Sequence, residues 1–337
     1  MERVLTLREL NRALLARQLL LERKHLSPTA VIERLVGMQA QWPPAPYVGI
    51  WTRTTTFKRE ALELAILSGE VVKPTVMRGT LHLVTARDYP VFYAALRNMP
   101  TWYSETNLAH ALKEVRAVRA LAPLTHKEGL AHLERAGHAD ETDRRRIFHA
   151  VRRHAHLLHT PESALWKGRP LGAFRAHPEP VPIEELAART ELVRRYLAAF
   201  GPATRADIAD WSGLRVVDCT PALDALEPLR RFRNEDGKEL LDVPRAPLPP
   251  ADTPAPVRFL PKWDNVLLGH ADRRRIIAAE HRKDIIGKNG DVAPTFLVDG
   301  FVAGIWGVEK GRVKVEPFGR VPKSVEAEAK RLEAWLA

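Results

Sequence analysis

Cysteine is almost absent: Cys219 is the only one in 337 residues. A lone thiol excludes a disulfide framework, and it excludes iron–sulfur or cysteine-rich zinc chemistry within one chain. Long apolar runs are missing too, since none approaches the roughly 18–20 residues that a bilayer-spanning helix needs. Met1-Glu2-Arg3-Val4 leads straight into an amphipathic pattern without a signal-peptide apolar core. The compartment expected is therefore a reducing cytoplasm, with nucleoid association following from the charge. No Gly-x-Ser-x-Gly elbow, phosphate-cradling glycine loop or His-Glu-x-x-His pattern occurs, which removes serine-hydrolase, P-loop and zincin chemistry. Acidic residues are in deficit, 41 against 52 Lys and Arg, for a net charge of +11. That excess points toward nucleic acid. With 45% apolar and 28% charged residues, the composition is that of a folded globular protein of several domains.

What is present organises the chain. Thr6-Leu7-Arg8-Glu9 forms a capping box, followed by an apolar stripe at Leu7, Leu10, Leu14 and Leu15. Ser27-Pro28 opens a second helix with its stripe at Val31, Leu35 and Met38, and Trp42-Pro43-Pro44 ends it. A third helical stretch lies around Glu60–Leu67. Val71–Met77 and Thr80–Val84, separated by Arg78-Gly79, then read as an antiparallel hairpin. Further on, the spacing predicts a helix over Leu192–Phe200, a short one from Thr204 to Trp211 and another over Cys219–Leu229. A hairpin flanking Asn234-Glu235-Asp236-Gly237-Lys238 completes the element order of a winged helix-turn-helix. The same order is legible between Leu124 and Arg169, with helices at Thr125–Ala136 and Thr142–Leu157 and a wing at Leu158–Trp166. The first segment makes a third unit.

Six prolines between Val243 and Val257 mark an extended linker. Beyond it the pattern turns to strand: Thr295–Val298 and Phe301–Trp306 joined by Asp299-Gly300, then Arg312–Phe318, and a closing helix Ser324–Leu336. The fold class expected is α+β, with three tandem winged helix-turn-helix units around a C-terminal β-rich domain. The corresponding spans are 1–121, 122–180 and 181–244 for the winged helices, 245–256 for the linker and 257–337 for the last domain.

The stretch 143–153 puts five arginines on about three helical turns. Ile147, Phe148 and Val151 define the buried side, which leaves Arg145, Arg146, Arg152 and Arg153 for phosphates. Arg273, Arg274 and Arg275, preceded by His270, form a second cluster. A solvated basic face is the alternative reading of both. His149, His154, His156 and His159 are poorly spaced for metal on one helix face, and no metal or other cofactor is expected. In Gln39-Ala40-Gln41-Trp42, helical geometry would turn the two glutamines about 200° apart. In an extended segment they would point the same way and could hold one water or one sugar between them. Capping of the preceding helix is the plainer alternative.

Several short motifs occur together and in order: Gln39-Ala40-Gln41, Met77-Arg78-Gly79-Thr80-Leu81-His82-Leu83, Leu260-Pro261-Lys262-Trp263-Asp264-Asn265, His270-Ala271-Asp272-Arg273 and Val298-Asp299-Gly300. In this combination the chain resembles the winged-helix crosslink-repair DNA glycosylases of the YcaQ/AlkZ type along essentially its whole length. The resemblance implies a C-shaped monomer acting on double-stranded DNA. It implies hydrolysis, with no cofactor, of the N-glycosidic bond of N7-alkylated guanine, bulky or crosslinked adducts included. It makes Gln39 and Gln41 the catalytic pair, in a Gln-hydrophobic-Gln branch similar to antibiotic self-resistance glycosylases. It also implies lesion-probing by the hairpin at Asp299 and Gly300. Arg78 and His82 border this segment as candidate DNA contacts, and Arg78 fits pairing with a structural carboxylate equally well. Trp42 fits stacking on the lesion and burial in the core. A winged-helix transcriptional regulator and a protein-interaction scaffold are the competing classes.

Overall fold

Thr6 starts the first helix, Leu7–Arg17, and its capping box closes: the Thr6 N–H donates to Glu9 at 2.8 Å and the Glu9 N–H to the Thr6 hydroxyl at 3.2 Å. The structure, a computed structural model, describes residues 2–100, 103–168 and 172–337. Met1 and Arg169, each at the end of a stretch singled out above, lie outside the described residues.

The first unit departs from its pattern where it matters most. The Pro28–Arg34 helix ends well before the Pro-Pro step, because Val36 (φ 59°) and Gly37 (φ 85°) turn the chain through left-handed backbone. Met38–Gln39 is then a strand, paired antiparallel with His82–Thr85, whose other edge carries Val71–Val72. Pro43-Pro44 begins a helix, Pro44–Trp51, where a helix end was expected. Proline at the first helical positions loses no hydrogen bond, so the same dipeptide serves a start better than a stop.

The second unit comprises helices Glu105–Ala120, His126–Arg135 and Glu141–His154, with strands Leu157–His159 and Phe174–Ala176. Its core joins Ala111 and Val118 to Leu133, Phe148, Val151 and Phe174, so the boundary expected at 121/122 cuts through it. The wing also returns later than Leu158–Trp166. Gly129 lets two helices touch, since a Cβ there would lie 2.1 Å from the Phe148 ring.

In the third unit Glu185–Phe200, Arg205–Ser212 and Val216–Asp224 precede the hairpin Arg230–Asn234/Glu239–Asp242. The last helix starts at an Arg215–Asp218 cap, earlier than the apolar periodicity placed it. Val4–Leu5 adds a parallel third strand to this hairpin, so the chain's beginning is built into its third winged unit.

The C-terminal sheet is antiparallel in the order Arg312–Pro317, Phe301–Glu309, Thr295–Val298, Arg258–Leu260, and Ser324–Leu336 packs on it. The proline-rich linker is strapped to the first helix. Arg8, Arg12 and Arg17 donate to the carbonyls of Ala251 (2.8 Å), Thr253 (2.7 Å) and Pro247 (2.9 Å). Two buried ion pairs bind the parts together. Arg17 meets Asp242 at 2.7 and 2.9 Å, and Arg53 meets Asp264 at 2.7 and 2.8 Å. No helix among the described residues is long and apolar enough to cross a membrane.

Candidate active site

Gln39 and Gln41 lie on one extended segment. Ala40 between them is buried and its N–H donates to the Leu81 carbonyl at 2.8 Å, which fixes the strand. In an extended chain i and i+2 share a face, and the Gln39 Nε2 donates to the Gln41 Oε1. Gln39 is buried, while Gln41 and Trp42 are exposed. The pair therefore runs from the interior to an open surface.

Three supports hold this segment. Asn265 donates from its Nδ2 to the carbonyls of Leu35 (3.0 Å) and Gly37 (2.7 Å), clamping the left-handed turn just before Gln39. Its neighbour Asp264 carries the Arg53 ion pair. The motif around 260–265 thus acts on the glutamine segment from more than 200 positions away, and its spacing carried no sign of that role. The second support is Arg78. Its Nη2 donates to the Gln39 Oε1 at 3.0 Å and its Nη1 to the Trp211 carbonyl at 2.6 Å. Arg78 sits at φ 55° and ψ 17°, against Gly213 (φ 85°), whose absent side chain leaves room: a Cβ there would lie 3.0 Å from the Arg78 Cα. The third is His82, directly opposite Gln39 in the strand register and therefore on the same face; it is buried, so it does not reach DNA as the sequence reading had it.

Burial governs the protonation of this cluster. It brings the Arg78 guanidinium down to about 10, with Asp210 favouring the charge and Arg273 opposing it. Arg78 is still a cation at neutral pH. Burial, reinforced by repulsion from Arg78, drives the His82 imidazole down to about 3, so His82 is neutral, and its Nδ1 lies 3.1 Å from the Thr80 carbonyl. Asp210, which the sequence reading did not single out, accepts from Arg273 at 3.4 Å.

Several residues assigned to DNA from the sequence are occupied inside the protein. Arg153 is buried and donates to the Leu96 carbonyl. Arg152 lies 4.6 Å over the Phe174 ring and donates to the His149 Nδ1 at 3.1 Å. The helical wheel left them outside, but neighbouring elements cover that side. Arg275 is buried and donates to the Pro202 carbonyl at 3.1 Å. His270 is buried with its Nε2 2.9 Å from the Phe200 carbonyl, and burial lowers it to about 3. The Asp299-Gly300 turn does not project. Asp299 pairs with Arg8 and Arg12, Asn11 donates to the Gly300 carbonyl at 2.8 Å, and a Cβ at Gly300 would meet Asn11 at 2.5 Å. That hairpin tip is docked on the first helix.

Arg145, Arg146 and Arg274 are open to solvent, paired respectively with Glu141, Asp143 and Asp272, while Arg273 is mostly covered. Lys310, Arg312 and Lys314 add exposed cations on the second hairpin of the C-terminal sheet. Among the described residues no group of three or more His, Cys, Asp or Glu could hold a metal ion.

Known proteins resemble this chain along its length. The family described as "DNA glycosylase AlkZ-like" matches residues 32–335. An interstrand DNA cross-link repair glycosylase of Streptomyces sahachiroi is 25% identical over 355 aligned positions, covering 93% of this chain and 92% of its own. The solved structure of Streptomyces sahachiroi DNA glycosylase AlkZ has the same fold. Its TM-score is 0.80 at 21% identity, over 99% of this chain and 96% of that one. A match that takes in the glutamine segment, all three winged units and the terminal sheet makes this chain a member of the AlkZ-like DNA glycosylases.

Proposed function

We propose that this glycosylase releases N7-alkylated guanine from duplex DNA, bulky adducts and interstrand crosslinks included, and that Gln39 and Gln41 position the attacking water. The observation that carries this reading is the hydrogen-bonded amide pair, buried at Gln39 and open at Gln41. Alkylation at N7 makes the base a cationic leaving group, so the glycosidic bond needs no strong general acid. The water oxygen bonds to C1′ and the C1′–N9 electrons pass to the base, which leaves as neutral 7-alkylguanine. The water's proton goes to solvent. Neutral amides suit this step: their oxygens orient the water and their dipoles favour positive charge developing on the sugar. A lesion as large as a crosslink needs an open surface, and Gln41 lies on one. Phosphate contact is assigned to the exposed Arg145 and Arg274 and the half-buried Arg146, and the protein is read as acting as a monomer.

The test is base release from duplex DNA carrying 7-methylguanine or a bulky N7-guanine adduct, read as strand breaks after alkali. Lesion-dependent abasic sites that vanish in the double variant Gln39→Ala, Gln41→Ala support the reading; unchanged release by that variant removes these residues from catalysis. Gln41→Asp supplies a stronger base and is expected to speed release of 7-methylguanine.

A further inference from the structure

The geometry points to Arg78 as the positioning residue that fixes the direction of a hydrogen-bond relay, Arg78 to Gln39 to Gln41, and thereby decides which atoms Gln41 offers to the water. This inference rests on the proposed role of the two glutamines.

A guanidinium has only donors. The Gln39 amide must therefore turn its oxygen toward the Arg78 Nη2, 3.0 Å away, and the flip of that amide is settled by its partner. With the oxygen committed, the Gln39 Nε2 is left facing Gln41, which has to accept through its Oε1. Each amide is polarised by the one behind it, and the first link is charge-assisted. The exposed end then has a defined chemistry. The Gln41 Oε1 keeps a second lone pair for a water proton, and the Gln41 Nε2 keeps its protons for the water's oxygen or the sugar.

Arg78 is held for this task. Its other arm is tied to the Trp211 carbonyl at 2.6 Å, and its backbone is seated on Gly213. Since Trp211 lies in the last turn of the Arg205–Ser212 helix, the relay begins in the third winged unit and ends at the catalytic segment of the first. Both terminal nitrogens of the guanidinium are engaged inside the protein, which leaves Arg78 poorly placed to neutralise a DNA phosphate.

The experiment is single-turnover excision of 7-methylguanine from duplex DNA, with binding to undamaged duplex measured alongside at two salt concentrations. Gln39→Glu gives the sharpest sign. A carboxylate still satisfies Arg78 but cannot donate to Gln41, so the last link reverses. The relay predicts a loss of about ten- to hundredfold in rate. If Gln39 instead holds water on its own, glutamate is the better base and the rate equals or exceeds wild type, which overturns the relay. Arg78→Met is expected to lose rate to a similar degree with duplex affinity within about twofold and an unchanged salt slope. Arg78→Lys restores part of the rate, because it still donates. A weakened affinity with the salt slope reduced by about one would make Arg78 a phosphate contact and end the proposal. Full loss in Gln39→Ala beside wild-type rates in Arg78→Met and Gln39→Glu would refute the relay and leave the catalytic glutamines standing. Wild-type rates in Gln39→Ala, or no base release by the wild-type protein, would remove the reading on which the relay rests.

Discussion

Replacing Asp264 by asparagine leaves the Arg53 guanidinium buried without its countercharge. Both side chains are inaccessible, and the pair is two-pronged, at 2.7 and 2.8 Å. Arg53 would retain the carbonyls of Gln18 and Gly49, each at 2.9 Å, which hydrogen-bond but do not neutralise. Breaking a buried pair on one side costs about 3–5 kcal/mol. At about 2–4 °C per kcal/mol for large domains, Asp264→Asn should lower the melting temperature by roughly 6–20 °C. The damage should not stop at stability. Asp264 is joined to Asn265, whose amide clamps the turn before Gln39, so the excision rate should fall further than the unfolded fraction explains. A double-mutant cycle with Arg53→Met isolates the pair, because the doubly substituted protein carries no lone buried charge. A melting temperature within about 2 °C of wild type for Asp264→Asn, or a coupling energy below about 1 kcal/mol, would refute the argument that this pair welds the C-terminal domain to the unit that carries the glutamine segment.

Asn265→Ala removes two hydrogen bonds to the Leu35 and Gly37 carbonyls, and at about 1 kcal/mol each a modest loss of stability is expected beside a large loss of excision rate at unchanged DNA affinity. Single-turnover kinetics with parallel binding isotherms check the split. Gly213→Ala meets both a left-handed backbone (φ 85°) and the Arg78 Cα at 3.0 Å; it should destabilise by more than about 1 kcal/mol, measured by urea unfolding, and slow excision by displacing Arg78. Stability should also fall with acid below pH about 6.5. Burial holds His82, His159 and His270 down to about 3 in the folded protein, whereas free histidine titrates near 6.5. Between those values the unfolded chain binds the extra protons, so each group weakens the fold by at most about 1.4 kcal/mol per pH unit. Melting curves at pH 7.5 and 5.5 test this, and equal midpoints would contradict it.

Local chemistry made several elements legible. The Thr6/Glu9 box, the short helix that starts at Thr204, the Asp299-Gly300 turn and the closing helix all appear at or near the positions their residues specify. Each depends on groups three or four positions apart. The glutamine pair was legible in the same sense, as a choice: helix would separate the amides and strand would join them. What tipped the balance was Gly37 (φ 85°) and pairing with His82–Thr85, and the second of these is a contact across more than 40 positions. Arg152, Arg153 and Arg275 were misread because a helical wheel or a run of arginines locates a residue relative to its own element only. The groups that occupy them belong to Leu96, Phe174 and Pro202.

The sequence by itself pointed to the class of partner, through a net charge of +11 and the ordered motifs of the family resemblance, and it supplied the element order of the winged units and the two amides proposed to suit a cationic leaving group. Tertiary structure decided which cations remain for DNA and which are spent inside: Arg12, Arg17 and Arg53 are among the largest fully buried side chains. It also decided the orientation of the Gln39 and Gln41 amides. An amide reads the same in either flip until a neighbour that can only donate is brought against it, and Arg78 reaches Gln39 from 39 positions away while anchored 133 positions further on. Charge and periodicity are properties of a segment. The direction of a hydrogen bond belongs to a pair, and folding alone chooses the pairs.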